Sequence, residues 1–459
     1  MFVGRTQELL QITNELTKDS CAILIYGKRK VGKTTLIKKA TENSAKTVIY
    51  YECVKDTIEN NVANIFRMLK EHKLVSEYTA LPNNTFIELM KYLDSLNQKL
   101  VFVIDEYPYL KEFEKSETVD STFQVVIDNY LKNINLIISG SHIGMMKDLI
   151  EEKNALFGRF SLKIALKELN YLEASEFYKD KTPYDKVAFY SVFGGSPFIN
   201  SFVNPNLSLK ENIVATILNP NSPVYLYASN LLLSDLSNSS QINRVLASLK
   251  NGKKHYSELE IELDKNKTGL LSKILRPVLD AEIVKKTAPI NATKDIKKAT
   301  YEINDNLLRF YYAYIYSMPG LLNVRDHNIF FDDFIEPSLP TFVSYRFEDI
   351  AKNYLWLLFN KKGTRGIVDV GSYYYNDSVE KKNGEFDVAV LKTSDKVDIY
   401  EVKYLQKPVN QKIVNKELQQ IKDIKNIKVD KVGFISINGF EKGIKGTDYL
   451  IDGQGMFLI

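Results

Sequence analysis

The 459-residue chain is short of the residues that staple or metal-load small folds. It has only two cysteines, Cys21 and Cys53, and no Cys-x-x-Cys pair, which argues against a secreted disulfide framework. Its four histidines, His72, His142, His255 and His327, are scattered and have no cysteine neighbours, so no zinc site is expected. Long hydrophobic runs are absent. CAILIY and LVFVI fall far short of a membrane span, and MFVGRTQELL has no basic region followed by an apolar core. No membrane partner and no signal peptide are expected, and the expected location is the cytoplasm. A strong excess of one charge is also missing. At +4 the net charge neither predicts nor excludes a nucleic-acid partner, so that case must rest on local clusters. There is no internal repeat and no low-complexity tract. What remains is 44% hydrophobic and 26% charged, a globular composition long enough for about two to four domains.

Residues 1–165 alternate short apolar runs with amphipathic stretches. CAILIY, TVIYYECV, LVFVID and LIISGS each end in polar or glycine residues. Such runs, separated by helical patterns, predict buried parallel strands in an α/β layer structure. Residues 166–235 read as mostly helical, interrupted by FGGSPF and closed by the polar SDLSNSSQ. Residues 236–315 read as three short helices, INRVLASLKNG, YSELEIELD and TGLLSKILRPVLDAEIV, then two strands: a winged-helix pattern. LLRFYYAYIYSMPG looks like a connecting helix. Residues 316–459 are again α/β, with a helix at 346–360, strands at GEFDVAVL, KVDIYEVKY and KVGFISI, and a helix near 415–424.

The first run leads into GKRKVGKT, Gly27 to Thr34, and then an amphipathic stretch. That is the strand–loop–helix context of a phosphate-binding loop. Glycines let backbone N–H groups curl around phosphates, and the helix N-terminus adds partial positive charge. Gly27, Lys28, Arg29, Lys30, Val31, Gly32, Lys33, Thr34 and Thr35 therefore form the expected ATP-binding segment. Lys33 is expected to reach the β- and γ-phosphates and the Thr34 hydroxyl to ligate Mg2+. LVFVIDE supplies the second part: Asp105 at the carboxyl edge of a buried strand to hold Mg2+ through water, and Glu106 as the base that polarises the attacking water. Ser141, or alternatively Ser139, is the polar residue at the end of the next run. It reads equally as a γ-phosphate sensor and as a strand-ending turn.

MFVGRTQEL, YGKRKVGKTTLI, VFVIDEYPYL, IISGS, LFGRFSLKIALKEL and FGGSPF follow in that order. Together they resemble the archaeal-type P-loop ATPases of the AAA+/STAND group. The resemblance covers the whole chain and implies an ATPase core (1–165), a helical lid (166–235), a winged helix (236–315) and a C-terminal domain of unknown function similar to the PD-(D/E)xK nuclease fold (316–459). It also implies that Phe2, Gly4 and Arg5 lie by the adenine and that Gly195 and Pro197 form the nucleotide-touching motif of the lid. Arg159 is either an arginine finger or a plain surface salt bridge. Ring formation in AAA+ proteins leaves a homo-oligomer open.

In the last domain, Asp387 precedes Glu401 and Lys403, and strand alternation puts Glu401 and Lys403 on one face. Two carboxylates on adjacent strands can hold Mg2+, and a lysine can activate water for phosphodiester cleavage. This matches the PD-(D/E)xK pattern residue by residue, with Glu348 as an extra acid and Gln419 or Gln420 beside the site. Asp387 and Glu401 are thus the candidate metal ligands, and Asp387, Glu401 and Lys403 the candidate catalytic set. The rival reading is a half-exposed strand with solvated charges. Lys265, Lys267, Lys273 and Arg276 at the third helix, and Lys294, Lys297 and Lys298 in the following loop, are candidates for seating double-stranded DNA. The expected function is an ATPase coupling nucleotide state to a DNA-directed, nuclease-like domain. The alternative is an ATP-driven switch that binds a protein partner and cuts nothing.

Overall fold

The computed structural model describes residues 2–231, 239–264, 266, 269–377, 382–424 and 427–459. The polar stretch at 234–238, Lys265 and Lys267 lie outside the described residues. The chain divides into two compact units, residues 1–168 and 169–459.

In the first unit, β1 (Cys21–Tyr26), β2 (Thr47–Glu52), β3 (Leu100–Asp105), β4 (Ile134–Gly140) and β5 (Leu162–Ala165) form an all-parallel sheet. The strand order is β2-β3-β4-β1-β5. Every residue of β1, β3 and β4 is buried, because helices cover both faces; this is why those runs are mostly apolar. Alternation splits them cleanly. Ile23, Ile25, Val101, Val103 and Ile137 pack with Ile12, Leu36 and Ile37 of the helices Thr6–Leu16 and Lys33–Thr41. Leu24, Phe102, Ile104, Leu136 and Ile138 pack on the other face, with Val62, Phe86 and Phe123. Fully burying one such side chain contributes about 1.5–3 kcal/mol. The fifth strand was not expected from the sequence. It is a four-residue edge strand with one buried position, so it carries no apolar run.

In the second unit, helices Ser239–Ser248, Tyr256–Leu263 and Leu270–Asp280 precede β7 (Val284–Thr287) and β8 (Thr300–Ile303). The two-residue β6 (Lys254–His255) adds to β8, giving an antiparallel sheet β6-β8-β7. LLRFYYAYIYSMPG is not one helix: Asn306–Tyr314 ends, and Pro319 starts a new helix at Pro319–Val324, the position where a missing N–H costs nothing. The helix expected at 346–360 spans Leu339–Lys362.

The C-terminal sheet has five strands rather than three: β9 (Ile367–Asp377), β10 (Lys382–Lys392), β11 (Val397–Lys403), β12 (Val429–Ser436) and β13 (Tyr449–Asp452), ordered β13-β12-β11-β10-β9. β9, β10 and β11 pair antiparallel, and β11, β12 and β13 parallel. The two strands missed are the edges, half-exposed and rich in tyrosine or glycine neighbours rather than apolar runs.

A buried ion network ties the three-stranded sheet to the long helix. Glu302 of β8, 1% exposed, meets Arg309 at 3.0 Å, Lys285 at 3.1 Å and Arg346 at 3.5 Å. Asp349 on the long helix lies 3.3 Å from Lys285 and 3.4 Å from Arg346. Among the described residues, no helix is long and apolar enough to cross a membrane.

Candidate functional site

The phosphate-binding segment joins β1 to the helix Lys33–Thr41. Gly32, the residue before the helix, has φ 98°, and Lys30 has φ 63°, so the loop makes the left-handed turns that glycine tolerates best. Gly27 has a different reason: a Cβ there would lie 2.1 Å from the Leu166 carbonyl oxygen. Val31 is buried, while Lys30 and Thr35 face solvent. Lys28 pairs with Glu168 at 3.9 Å, and Arg29 donates to the Tyr109 hydroxyl at 2.9 Å. Lys33 is 6% exposed, and its ammonium donates to Gly27 O at 2.9 Å and Lys28 O at 3.1 Å. Burial holds its pKa below the ordinary lysine value, against the pull of Glu106 and Asp105. A buried, desolvated cation inside a glycine cradle fits an anionic triphosphate.

Thr34 Oγ1 donates to Asp105 Oδ2 at 2.9 Å. This brings together the hydroxyl and the carboxylate expected at the Mg2+ end, and their chemistry, oxygen donors only, fits that ion. The Tyr50 hydroxyl donates to the same Oδ2; this residue was missed from the sequence. The Glu106 N–H donates to Asp105 Oδ1 at 3.0 Å. Glu106 has φ 53°, a strained value for a non-glycine residue. Downstream, Asp120 receives Tyr107 Oη at 2.8 Å and pairs with Lys111 at 2.7 Å, which anchors the turn. β4 lies between β1 and β3, so the residue after its end, Ser141, falls between the loop and the acids. Ser141 N and Oγ both donate to Glu106 Oε2, at 3.1 and 2.8 Å. Ser139 is fully buried in β4 and its hydroxyl has no hydrogen-bond partner among the described residues. Gly140 cannot bear a side chain, because a Cβ would lie 2.6 Å from Met146 Sδ and 2.7 Å from Pro108 Cδ.

Arg5, 5% exposed and at φ 63° after Gly4 at φ 62°, donates to Val31 O at 3.2 Å and to Lys167 O. It therefore props the loop, and Phe2 packs on the apolar cluster beside it. Arg159 makes a two-pronged pair with Asp128, Nε–Oδ1 2.9 Å and Nη2–Oδ2 2.9 Å, which is the salt-bridge alternative. In the second unit, a Cβ on Gly195 would lie 1.9 Å from Leu169 O, and Pro197 opens the short helix Pro197–Asn200. FGGSPF therefore makes a tight turn whose backbone closely approaches Leu169.

The C-terminal constellation also assembles within the second unit. The pair Val388↔Tyr400 puts Asp387, one step along, opposite Glu401. Lys403 lies 3.3 Å from Glu401 and 2.9 Å from Glu417. Glu417, on the helix Gln411–Lys422, is the residue that reaches the site. Gln419 and Gln420 are exposed and point away, Gln419 bonding Asp423. Desolvation raises the pKa of Glu348 to about 7, with Asp387 adding to it. The Asp387 and Glu401 carboxyls are raised too, mainly by desolvation. The Lys403 ammonium is raised by Glu401 and Glu417 in spite of its own desolvation. Among the described residues, no group of three or more His, Cys, Asp or Glu side chains is placed to hold a metal ion. On the third helix Lys273 and Arg276 are exposed. In the following loop Lys294 and Lys297 are exposed, while Lys298 lies 4.0 Å from the Tyr374 ring centroid.

Residues 2–199 match a family described as an ATPase domain predominantly from Archaea, and residues 311–421 a family of archaeal and bacterial proteins of unknown function. An uncharacterized protein of Methanocaldococcus jannaschii is 27% identical over 411 residues, covering 88% of this chain and 88% of the relative. Among solved structures, a Walker-type ATPase of Pyrococcus abyssi has a TM-score of 0.50 at 16% identity, over 68% of this chain and 96% of that one. The ORC2 protein of Aeropyrum pernix has a TM-score of 0.46 at 12% identity, over 70% and 94%.

Proposed function

With an archaeal-type P-loop ATPase domain at residues 2–199, and hence an ATP-hydrolysing enzyme, as the premise, we propose that the ATP cycle of residues 27–35, Asp105 and Glu106 governs a DNA-directed second unit. The observation that carries the ATP reading is the 2.9 Å Thr34–Asp105 hydrogen bond beside the buried Lys33. Lys33 exchanges two loop carbonyls for phosphate oxygens and holds the triphosphate in place. Thr34 and Asp105 would hold Mg2+, which, when bound, neutralises phosphate charge. Glu106 accepts the proton of the attacking water, and Ser141, donating twice to Glu106 Oε2, sets the direction of that carboxylate. Arg5 keeps the Val31 end of the loop in place from the adenine side. Gly195 and Pro197 are the proposed motif of the lid. Arg159 serves as a finger, for a neighbouring subunit or for its own chain, only on leaving Asp128.

In the second unit, Asp387 and Glu401 are the proposed Mg2+ ligands and Lys403 the water-activating group, with Glu348 beside them. The three helices and sheet at 236–315 are read as a winged helix that seats double-stranded DNA through Lys273, Arg276, Lys294 and Lys297. A second reading, a nucleotide-driven switch that binds a protein partner, is favoured by one observation. Lys403 is neutralised between Glu401 and Glu417, which opposes its use on water. Paired assays of ATP turnover and of Mg2+- or Mn2+-dependent DNA cleavage, on wild type, Glu106→Gln and Lys403→Ala, decide between them. Cleavage lost in Lys403→Ala with turnover retained supports the nuclease. No cleavage by wild type under either metal leaves the switch.

A further inference from the structure

We propose that Tyr50 is a positioning residue of the ATPase, its phenol fixing the Asp105 carboxylate in the orientation that serves Mg2+. The inference rests on the reading of Thr34 and Asp105 as the metal end of the site. Asp105 is the meeting point of three donors from three segments. Thr34 of the loop helix and Tyr50 of β2 both donate to Oδ2, and the Glu106 N–H of the following turn donates to Oδ1. The terminal torsion of an aspartate is soft, and without Tyr50 each of its oxygens is held by one donor, Thr34 on Oδ2 and the Glu106 N–H on Oδ1. The Tyr50 hydroxyl, arriving from the neighbouring strand, adds a second donor on Oδ2 and narrows the range of the carboxylate plane further.

The fold explains why a tyrosine stands there. β2 pairs with β3 in the register Tyr50↔Val103 and Glu52↔Asp105, so position 50 lies beside the end of β3. Alternation turns Ile49 and Tyr51 to one face of the sheet and Tyr50 to the other, where it packs with the cluster under the helix Lys33–Thr41. The Lys38 ammonium of that helix sits 5.3 Å from the Tyr50 ring centroid. The ring is thus held between the loop helix and Asp105. A phenol suits the task because it donates without adding charge; a lysine or arginine would neutralise the carboxylate that the metal needs. Burial and the Asp105 charge both push the phenol's pKa up, so it keeps its proton and acts only as a donor.

The test is equilibrium binding of a fluorescent ATP analogue to wild type, Tyr50→Phe and Tyr50→Leu, each with EDTA and with Mg2+, alongside thermal melts. Phenylalanine keeps the ring under Lys38 and removes only the hydroxyl. Tyr50→Phe is expected to bind as wild type does in EDTA and about three- to tenfold more weakly in Mg2+, the scale of one lost hydrogen bond. The Mg2+ concentration that half-saturates binding should rise by a similar factor. Tyr50→Leu, which also removes the ring, should lose affinity in both conditions. Wild-type affinity of Tyr50→Phe in Mg2+, tighter binding in Mg2+, or an equal loss with and without the metal overturns the proposal. If wild type itself fails to bind the analogue in either condition, the reading of Lys33, Thr34 and Asp105 fails, and the role of Tyr50 goes with it. Tyr50→Phe retaining full Mg2+ dependence leaves the site standing and removes Tyr50 alone.

Discussion

Replacing Lys33 by methionine separates a ligand-binding lysine from a structural one. The side chain is 6% exposed and its ammonium donates to the Gly27 and Lys28 carbonyls. Its folded-state pKa is lowered, chiefly by burial. The folded protein therefore disfavours the charged form, and at neutral pH the ammonium contributes a cost rather than a gain to folding. Methionine keeps the apolar stem. It forfeits two hydrogen bonds worth about 1 kcal/mol each but removes that cost, so the melting midpoint without ATP should stay within about 3 °C of wild type. With ATP the outcomes diverge. At 100 times the wild-type Kd, ligand stabilises by about 2.7 kcal/mol, which raises the midpoint of a unit this size by about 5–11 °C. Losing two charge-assisted bonds, about 1.5–3 kcal/mol each, weakens binding by about a hundredfold or more. The same ATP concentration then shifts Lys33→Met by less than about 2 °C. Differential scanning fluorimetry with and without Mg2+-ATP reads both quantities. An undiminished ATP shift in the variant refutes the phosphate role. A fall of more than about 8 °C without ATP makes Lys33 a structural residue instead.

Glu106→Gln should leave ATP affinity unchanged while turnover falls about 10²- to 10³-fold; comparable turnover would assign water activation to another group. Glu302→Gln strips the charge from a carboxylate 1% exposed and in contact with Lys285, Arg309 and Arg346. It should destabilise the second unit by about 3–5 kcal/mol in urea unfolding, the cost of orphaning buried partners, and a change under about 0.5 kcal/mol contradicts this. The pH dependence of the second unit should follow Glu348, whose pKa rises from 4.5 to about 7 through desolvation first and Asp387 second. The folded state holds this proton more tightly than the unfolded chain, so the carboxyl's contribution is full below about pH 4.5 and is lost as pH rises through 7, by up to about 3 kcal/mol. Glu348→Gln should flatten stability between about pH 5 and 8, and a variant profile parallel to wild type would rule the titration out.

The candidate ATP site was readable because each of its two parts is contiguous in the chain. Gly27 to Thr34 is one loop, and Asp105 and Glu106 close a buried strand whose apolar run announces itself. Glu417 could have been found as well. It is three residues after Val414 and four before Ile421, the buried positions of its helix, so helical phase points it inward and turns Gln419 and Gln420 out. β5, β9 and β13 could not, since edge strands need no continuous apolar run. The groups that tune the two acids belong to a third kind, invisible locally but derivable from the strand order. Tyr50 precedes Asp105 by 55 residues and Ser141 follows Glu106 by 35. Neither interval has any meaning along the chain. Once β3 is placed between β2 and β4, however, each flanking strand must bring the residues at its carboxyl end alongside the acids. β2 supplies a hydroxyl to Asp105 and β4 a hydroxyl to Glu106. The acid proposed for the metal and the acid proposed for water are therefore each hydrogen-bonded by a different neighbour. Removing one hydroxyl should disturb metal dependence and removing the other the turnover of bound ATP, a division of labour that two single substitutions, Tyr50→Phe and Ser141→Ala, can separate.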